Sequence, residues 1–324
     1  MKLNVELPTD LCKRLRYKGA QTDIVLSSLL SYVKSSKKPS KALYMKRFNA
    51  IACPYTILKQ VNSDNVVYPY LRSELGDKEI SCISSHHGRS YIVGRSDERW
   101  VISKGNGLSY TQYAFLHTRE FGDNTLGLLL ERDAIRDFTL GVEISDLGIK
   151  TNRMEYVIQL EKEILLSNGH LVKPILLQYT VETPYRICDA PFLMRNEIVA
   201  EVDKWEKLNK RGYDKAHMIA ADLLVHNLQL LHKHKVLHNA ITPQNYTWAL
   251  ELLDFELSCS PKHPYENEDD RRYVKELFSR EILHTYEIIN YIAYCLGEAI
   301  DYAQVDELFE SYGFDLSVME VQAH

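Results

Sequence analysis

The stretch from His238 to Glu256 constrains this chain more than any other. It reads His-Asn-Ala-Ile-Thr-Pro-Gln-Asn-Tyr-Thr-Trp-Ala-Leu-Glu-Leu-Leu-Asp-Phe-Glu. A turn-like His-x-x-x-x-Pro-x-Asn segment ends at Asn245, and a short apolar run then delivers Asp254 followed by Phe255. Folded back as a hairpin, the pair offers an amide oxygen and a carboxylate. Such hard oxygen donors hold the Mg²⁺ that bridges nucleotide phosphates. The plainer alternative is a loop and a buried strand whose polar residues only cap and turn the chain.

The order of these residues is similar to that in protein kinases. There a His-Arg-Asp catalytic loop ends in a metal-binding Asn and is followed by a strand carrying Asp-Phe-Gly. The position of the kinase catalytic Asp is Ala240 here.

At 324 residues, the chain is long enough for one bilobed unit or two domains. Its hydrophobic content of 45% fills sizeable cores, and its 26% of charged residues is ordinary for a soluble protein. A formal net charge of -5 argues against a nucleic-acid-binding surface. No apolar run approaches the roughly 18 residues of a membrane helix, and the N-terminus has no signal-like apolar stretch. The expectation is a cytoplasmic protein with no nucleic-acid or membrane partner. Cys12, Cys53, Cys82, Cys188, Cys259 and Cys295 are scattered with no Cys-x-x-Cys pair, which predicts reduced, buried thiols and no zinc site.

In chain order, residues 1 to about 50 read as two helical pieces, with Ile24 to Lys34 at helical spacing and a basic linker from Lys34 to Lys41. From Cys53 to Lys104 the pattern becomes β-like. The runs are Val66 to Leu71, Ile80 to Ile83, Ser90 to Gly94 and Trp100 to Lys104, with a hairpin turn after Gly94. Lys104 ends a strand and enters Gly105-Asn-Gly107. A lysine there neutralises phosphates, and the glycines let backbone N–H groups approach an anion. Glu131 to Glu143 is an amphipathic helix with Ile135, Phe138 and Val142 on one face. Arg132 and Arg136, and likewise Asp133 and Asp137, lie one turn apart on it. Read as a solvated face, these charges do nothing. Read functionally, Asp137 holds Lys104.

Met154 to Leu160 and Pro174 to Thr180 are strands around an Asn168-Gly169 hairpin turn. Val181 to Pro191 is the expected hinge, and the chain beyond is helical. Lys215 to His232 places Met218, Ala221, Leu224, Leu228 and Leu231 on its core side, and Tyr273 to Leu296 forms another helix. His226, His232, His234 and His238 show no compact metal-ligand pattern.

Three segments in order resemble the selenoprotein O family. They are Trp100-Val-Ile-Ser-Lys-Gly-Asn-Gly-Leu-Ser-Tyr, Ala134-Ile-Arg-Asp-Phe and Leu147-Gly-Ile-Lys-Thr-Asn-Arg. The separation of Asn245 from Asp254 also matches that family's catalytic segment. The likeness covers about residues 90 to 260. It implies an α+β, bilobed protein-kinase-like fold and an AMP-transferring reaction on protein hydroxyls. By position it makes Lys104 and Asp137 the ion pair that orders phosphates, and Asn245 and Asp254 the ligands of Mg²⁺, with Mn²⁺ the alternative. Gly105, Gly107, Arg132 and Arg136 become candidates for lining the phosphate site. Departures are Asp137 for Glu, Gln244 for the family's Asp, and Glu256 where Gly or a small residue is usual.

The expected organisation is a helical extension over 1–50, a β-rich N-lobe over 51–185 and a helical C-lobe over 186–324. The expected function is an ATP-dependent transferase moving AMP or a phosphoryl group to a hydroxyl of a protein, peptide or small molecule. The alternatives are a pseudokinase-type nucleotide-binding module without catalysis, favoured by Ala240 and Gln244, and a small-molecule phosphotransferase.

Overall fold

Strand-forming alternation dominates the first half of the chain. In the computed structural model, which describes residues 45–61, 64–83, 89–107, 127–165, 171–265, 271 and 274–316, it builds a sheet of eight strands. In chain order these are β1 (Lys46–Ala52), β2 (Tyr55–Gln60), β3 (Tyr70–Arg72), β4 (Lys78–Cys82), β5 (Ser90–Ser96), β6 (Arg99–Lys104), β7 (Arg153–Leu160) and β10 (Ile175–Val181). A two-stranded ribbon, β8 (Ile164–Leu165) with β9 (Leu171–Val172), extends the β7–β10 hairpin. The spatial order is β2-β7-β10-β6-β5-β4-β1-β3, with antiparallel neighbours throughout.

The burial pattern explains this order. Strand β1 alternates, burying Phe48 and Ala50 between exposed Arg47 and Asn49, as a half-covered strand does. All seven residues of β10 are buried, and β10 sits inside the sheet between β7 and β6. The turn between β5 and β6 is Asp97-Glu98, with Asp97 at φ 51°, a left-handed position that Asp tolerates.

Among the described residues five α-helices accompany the sheet: α1 (Glu131–Asp146), α2 (Arg195–Val202), α3 (Ala216–Lys233), α4 (Val274–Leu296) and α5 (Tyr302–Ser311). Helix α3 buries Met218, Ala221, Leu224, Leu228 and Leu231, as its spacing predicts, and packs on α4. The largest apolar cluster runs from Ile102 and Leu177 of the sheet through Leu224 and Leu228 to Ile289 and Phe309. Position 185 falls inside this shared core, between Val181 and Ile187. None of the described helices is long and apolar enough to cross a membrane. Cys53, Cys82, Cys188, Cys259 and Cys295 are all free thiols, all but Cys295 buried.

Several expectations change. Residues 46–50 belong to β1 rather than to a helical extension, because Phe48 and Ala50 alternate with polar neighbours. Of the Val66–Leu71 run only Tyr70 and Leu71 lie in a strand, β3. Helix α1 buries Ala134, Asp137, Phe138, Leu140, Gly141 and Ile144, and the expected apolar face of Ile135, Phe138 and Val142 packs on the largest cluster, with Ile135 and Val142 half-buried. The helical reading of residues 1–44, Cys12 and the Asn168-Gly169 turn lie outside the described residues.

Candidate active site

The site begins with a backbone loop. After α3, Lys235 turns the chain at φ 58°. Leu237 and Cys259 then exchange backbone hydrogen bonds of 2.9 and 2.8 Å, closing a loop that contains every residue from His238 to Ser258. A second tie inside it joins Leu253 N–H to the Asn245 carbonyl at 2.9 Å. This sets Asn245 beside the segment that delivers Asp254, so the hairpin expected from the sequence forms. Ile187 N–H donates to the Tyr246 carbonyl at 2.8 Å, which pins the expected hinge segment to the same loop.

His238 holds the loop from within. Its Nδ1 accepts from Ala240 N–H at 3.2 Å, so Nε2 carries the proton and donates to the Leu253 carbonyl at 2.9 Å. Burial depresses its pKa below the usual histidine value and outweighs the pull of Glu281. The ring also meets Phe255 edge-on, with centroids 5.4 Å apart.

Lys104, at the end of β6, is the hub. Its Nζ donates to Asp137 Oδ2 at 2.9 Å, Asp254 Oδ1 at 2.5 Å and Glu256 Oε2 at 3.2 Å. Asp137 uses its other oxygen to accept from Phe255 N–H at 2.9 Å, so α1 is tied to the loop through one carboxylate. The shorter Asp therefore reaches Lys104. Helix α1 comes close enough because Gly141 lies against Phe255, where a Cβ would sit 2.9 Å from the ring.

Charge is distributed unevenly. Burial works against the Lys104 charge, but Asp137, Asp254 and Glu256 outweigh it and raise its pKa above the ordinary lysine value. Burial pushes Asp137 up to about 6 despite Lys104. Asp254 goes the other way: Lys104 and Arg89 overcome its burial and hold it below the usual carboxylate range. Asp254 also sits at φ 68°, a left-handed conformation that costs a non-glycine residue energy and that clusters at functional sites.

Other candidates fall elsewhere. Arg132 is exposed and pairs with its neighbour Asp133 at 3.2 Å, with no direct bond to the Lys104 cluster among the described residues. Arg136 donates to the Ser258 carbonyl at 2.6 Å and the His263 carbonyl at 3.2 Å, bracing the chain after Asp254 rather than lining an anion site. The N–H of Gly105 is taken by the Arg89 carbonyl at 2.8 Å. At φ 103°, with a Cβ position 2.4 Å from the Ile175 carbonyl oxygen, Gly105 is required by close backbone approach and not by an anion. Gly107 is also left-handed, at φ 113°, and its carbonyl accepts from the Tyr91 hydroxyl at 3.1 Å.

The donors present suit a hard cation. Asn245 is buried, its side-chain N–H donates to the Ala240 carbonyl at 2.9 Å, and its Oδ1 has no partner among the described residues. Asp137, Asp254 and Glu256 each offer a carboxylate oxygen within 4.8 Å of one another. Oxygen-only donors of this kind fit Mg²⁺ better than a softer metal.

Sequence reasoning missed Arg89 and Arg186. Arg89 donates to both oxygens of Glu256 at 2.6 Å. The signal was Glu256 itself, since an acidic residue where a small one is usual needs a cation nearby. Arg186 is buried and donates to the Gln244 carbonyl at 3.1 Å; burial opposes its charge, and Tyr179 and Asp254 outweigh it. On the loop's outer side Arg99 donates to Glu251 at 2.6 Å and to the Thr180 carbonyl at 3.1 Å, joining the sheet to the strand-like run before Asp254.

No family model matches this sequence, and no curated protein matches it. Nothing in those two comparisons places the chain in the selenoprotein O family. Among solved structures, the chain is similar to a Toxoplasma gondii specific rhoptry antigen kinase domain. The identity is 12%, the TM-score 0.33, and the match covers 74% of this chain and 76% of that one. The likeness is distant, and it is to a kinase domain.

Proposed function

We propose that this chain is an ATP- and Mg²⁺-dependent transferase of kinase-like arrangement, with a sheet-based N-lobe and a helical C-lobe meeting near residue 185. Its acceptor is a hydroxyl of a protein, peptide or small molecule. One observation carries this reading. Lys104 reaches both Asp137, at 2.9 Å, and Asp254, at 2.5 Å, so a strand, a helix and a loop far apart in sequence converge on one ammonium. Such convergence positions a cation for phosphate oxygens and a carboxylate for the ion that accompanies them.

In this reading Asp254 and Asn245 Oδ1, which has no partner among the described residues, would hold Mg²⁺, or Mn²⁺ in its place, and the ion would supply charge neutralisation at the phosphates. Lys104 orients a phosphate, and Asp137 orients Lys104. The choice of AMP over the γ-phosphoryl group as the transferred fragment rests on the resemblance to selenoprotein O alone. Ala240 supplies no proton acceptor. Loss of a general base costs about 10²–10⁴-fold, not the whole acceleration, so a slow transferase is compatible with it.

A second reading, nucleotide binding without transfer, is favoured by the same Ala240 and by Glu256, which already engages Lys104 at 3.2 Å. Calorimetric titration of Mg²⁺–ATP separates the outcomes. Binding by the wild type that is lost in Lys104→Ala and Asp254→Ala supports the nucleotide site. Transfer of label from α- or γ-labelled ATP then identifies the fragment. Binding without any transfer selects the second reading, and no binding by a folded wild type discards both.

A further inference from the structure

Glu256 stands where a glycine or small residue is expected, and its carboxylate has drawn in two cations. Arg89 Nη2 lies 2.6 Å from both of its oxygens, and Lys104 Nζ lies 3.2 Å from Oε2. Among the described residues Arg89 makes no other ion pair. A guanidinium this buried requires anions beside it, and Glu256 supplies the direct contact while the charges of Asp254 and Asp137 reach it from further off.

The two cations are fixed by the sheet. Lys104 is the last residue of β6, and Arg89 immediately precedes β5. Ser90 pairs with Lys104 in register, while Gly105 N–H donates to the Arg89 carbonyl at 2.8 Å. Glu256, by contrast, comes from a loop, two residues beyond the left-handed Asp254, and its side chain keeps 20% exposure against 5% for Lys104. The fixed partners are thus cationic, and the exchangeable one is the anion. A carboxylate between a guanidinium and an ammonium occupies the place a phosphate oxygen pair would take.

We propose that Arg89 and Lys104 together form an anion seat for a phosphate group of the nucleotide, and that Glu256 fills this seat as an internal surrogate the ligand displaces. The proposal rests on the nucleotide reading above and adds Arg89 to it as a phosphate-contacting residue. It also gives Glu256 a role: competition from within the chain weakens polyphosphate binding.

The test is calorimetric titration of sodium tripolyphosphate in EDTA, which needs neither metal nor acceptor. Glu256→Gln keeps the side-chain size and removes the charge. It is expected to bind tripolyphosphate about tenfold or more tightly than the wild type, the size of one charge-assisted contact. The gain is expected to vanish in the Arg89→Ala, Glu256→Gln double variant. If the Gln variant does not fold, Glu256→Ser provides the same comparison. No gain on removing the Glu256 charge, or a gain that survives loss of Arg89, overturns the proposal. The nucleotide reading fails separately: a tripolyphosphate gain in Glu256→Gln with no Mg²⁺–ATP binding by either protein keeps the anion seat and discards the nucleotide.

Discussion

His238 shows how one side chain sets the condition under which the loop holds. It bonds the Ala240 N–H and the Leu253 carbonyl simultaneously, which only the neutral Nε2–H form does. Its folded pKa lies below the unfolded value of about 6.5, so below that pH the unfolded chain takes up a proton that the folded chain refuses. Stability from His238 is therefore complete above pH 6.5 and falls as the solution is acidified, by up to about 1.4 kcal/mol per pH unit. Asp137 runs the opposite way: raised to about 6, it takes up its proton in the folded state first, adding stability as pH falls from about 6 toward 4. Urea midpoints of wild type and His238→Gln between pH 5 and 8 isolate the histidine, and the two curves should converge at low pH. Lys104, Asp137, Asn245 and Asp254 were legible because each sits at a marked place in the sequence: a strand end, a helix face, a turn and an apolar run. Arg89 was not, because a single arginine after Gly88 carries no period or motif. Arg132 and Arg136 were read together from helical spacing, but spacing says only that two residues share a face, not what that face meets.

At the scale of elements, α1 is the part the site depends on most. Its approach to the loop is allowed by Gly141, whose absent side chain leaves room for Phe255 and for the Met154 methyl, 2.4 Å from a Cβ placed there. Gly141→Val should cost about 2 kcal/mol through overpacking. By pushing α1 from Phe255 it should also lengthen the contact between Asp137 and Phe255 N–H. Urea unfolding reads the first effect, and faster hydrogen exchange at the Phe255 amide reads the second. The helix and its apolar face were visible from periodicity, but the burial of Asp137 and Gly141 next to that face was not. Ile135 and Val142 pack half-buried on the core beside Phe138, and the fully buried face extends from there to Gly141 and to Asp137, a carboxylate that the charged network draws inward. Strands β5, β6, β7 and β10 were legible from short apolar runs bounded by turn residues. Strand β1 was lost because its alternation lies within a basic, helix-like context.

For the molecule as a whole, the sheet and the helices share one core, and the Arg99–Glu251 pair adds a polar joint to it. Glu251 is fully buried and accepts from Arg99 at 2.6 Å and from the Glu182 N–H at 2.9 Å. Removing only Arg99, as in Arg99→Ala, leaves a buried carboxylate without its counter-ion and should destabilise the protein by about 3–5 kcal/mol, measured by chemical denaturation. The shared core was beyond the reach of sequence patterns, which report on neighbours along the chain and not on what a helix such as α3 meets across it. Arg99–Glu251 also limits the paths open to drift. Losing either charge alone is severe, while replacing both with apolar residues of similar volume is often neutral. Sequences descended with this one should therefore keep positions 99 and 251 as a matched couple, both charged or both apolar, and a mixed state should be rare among them.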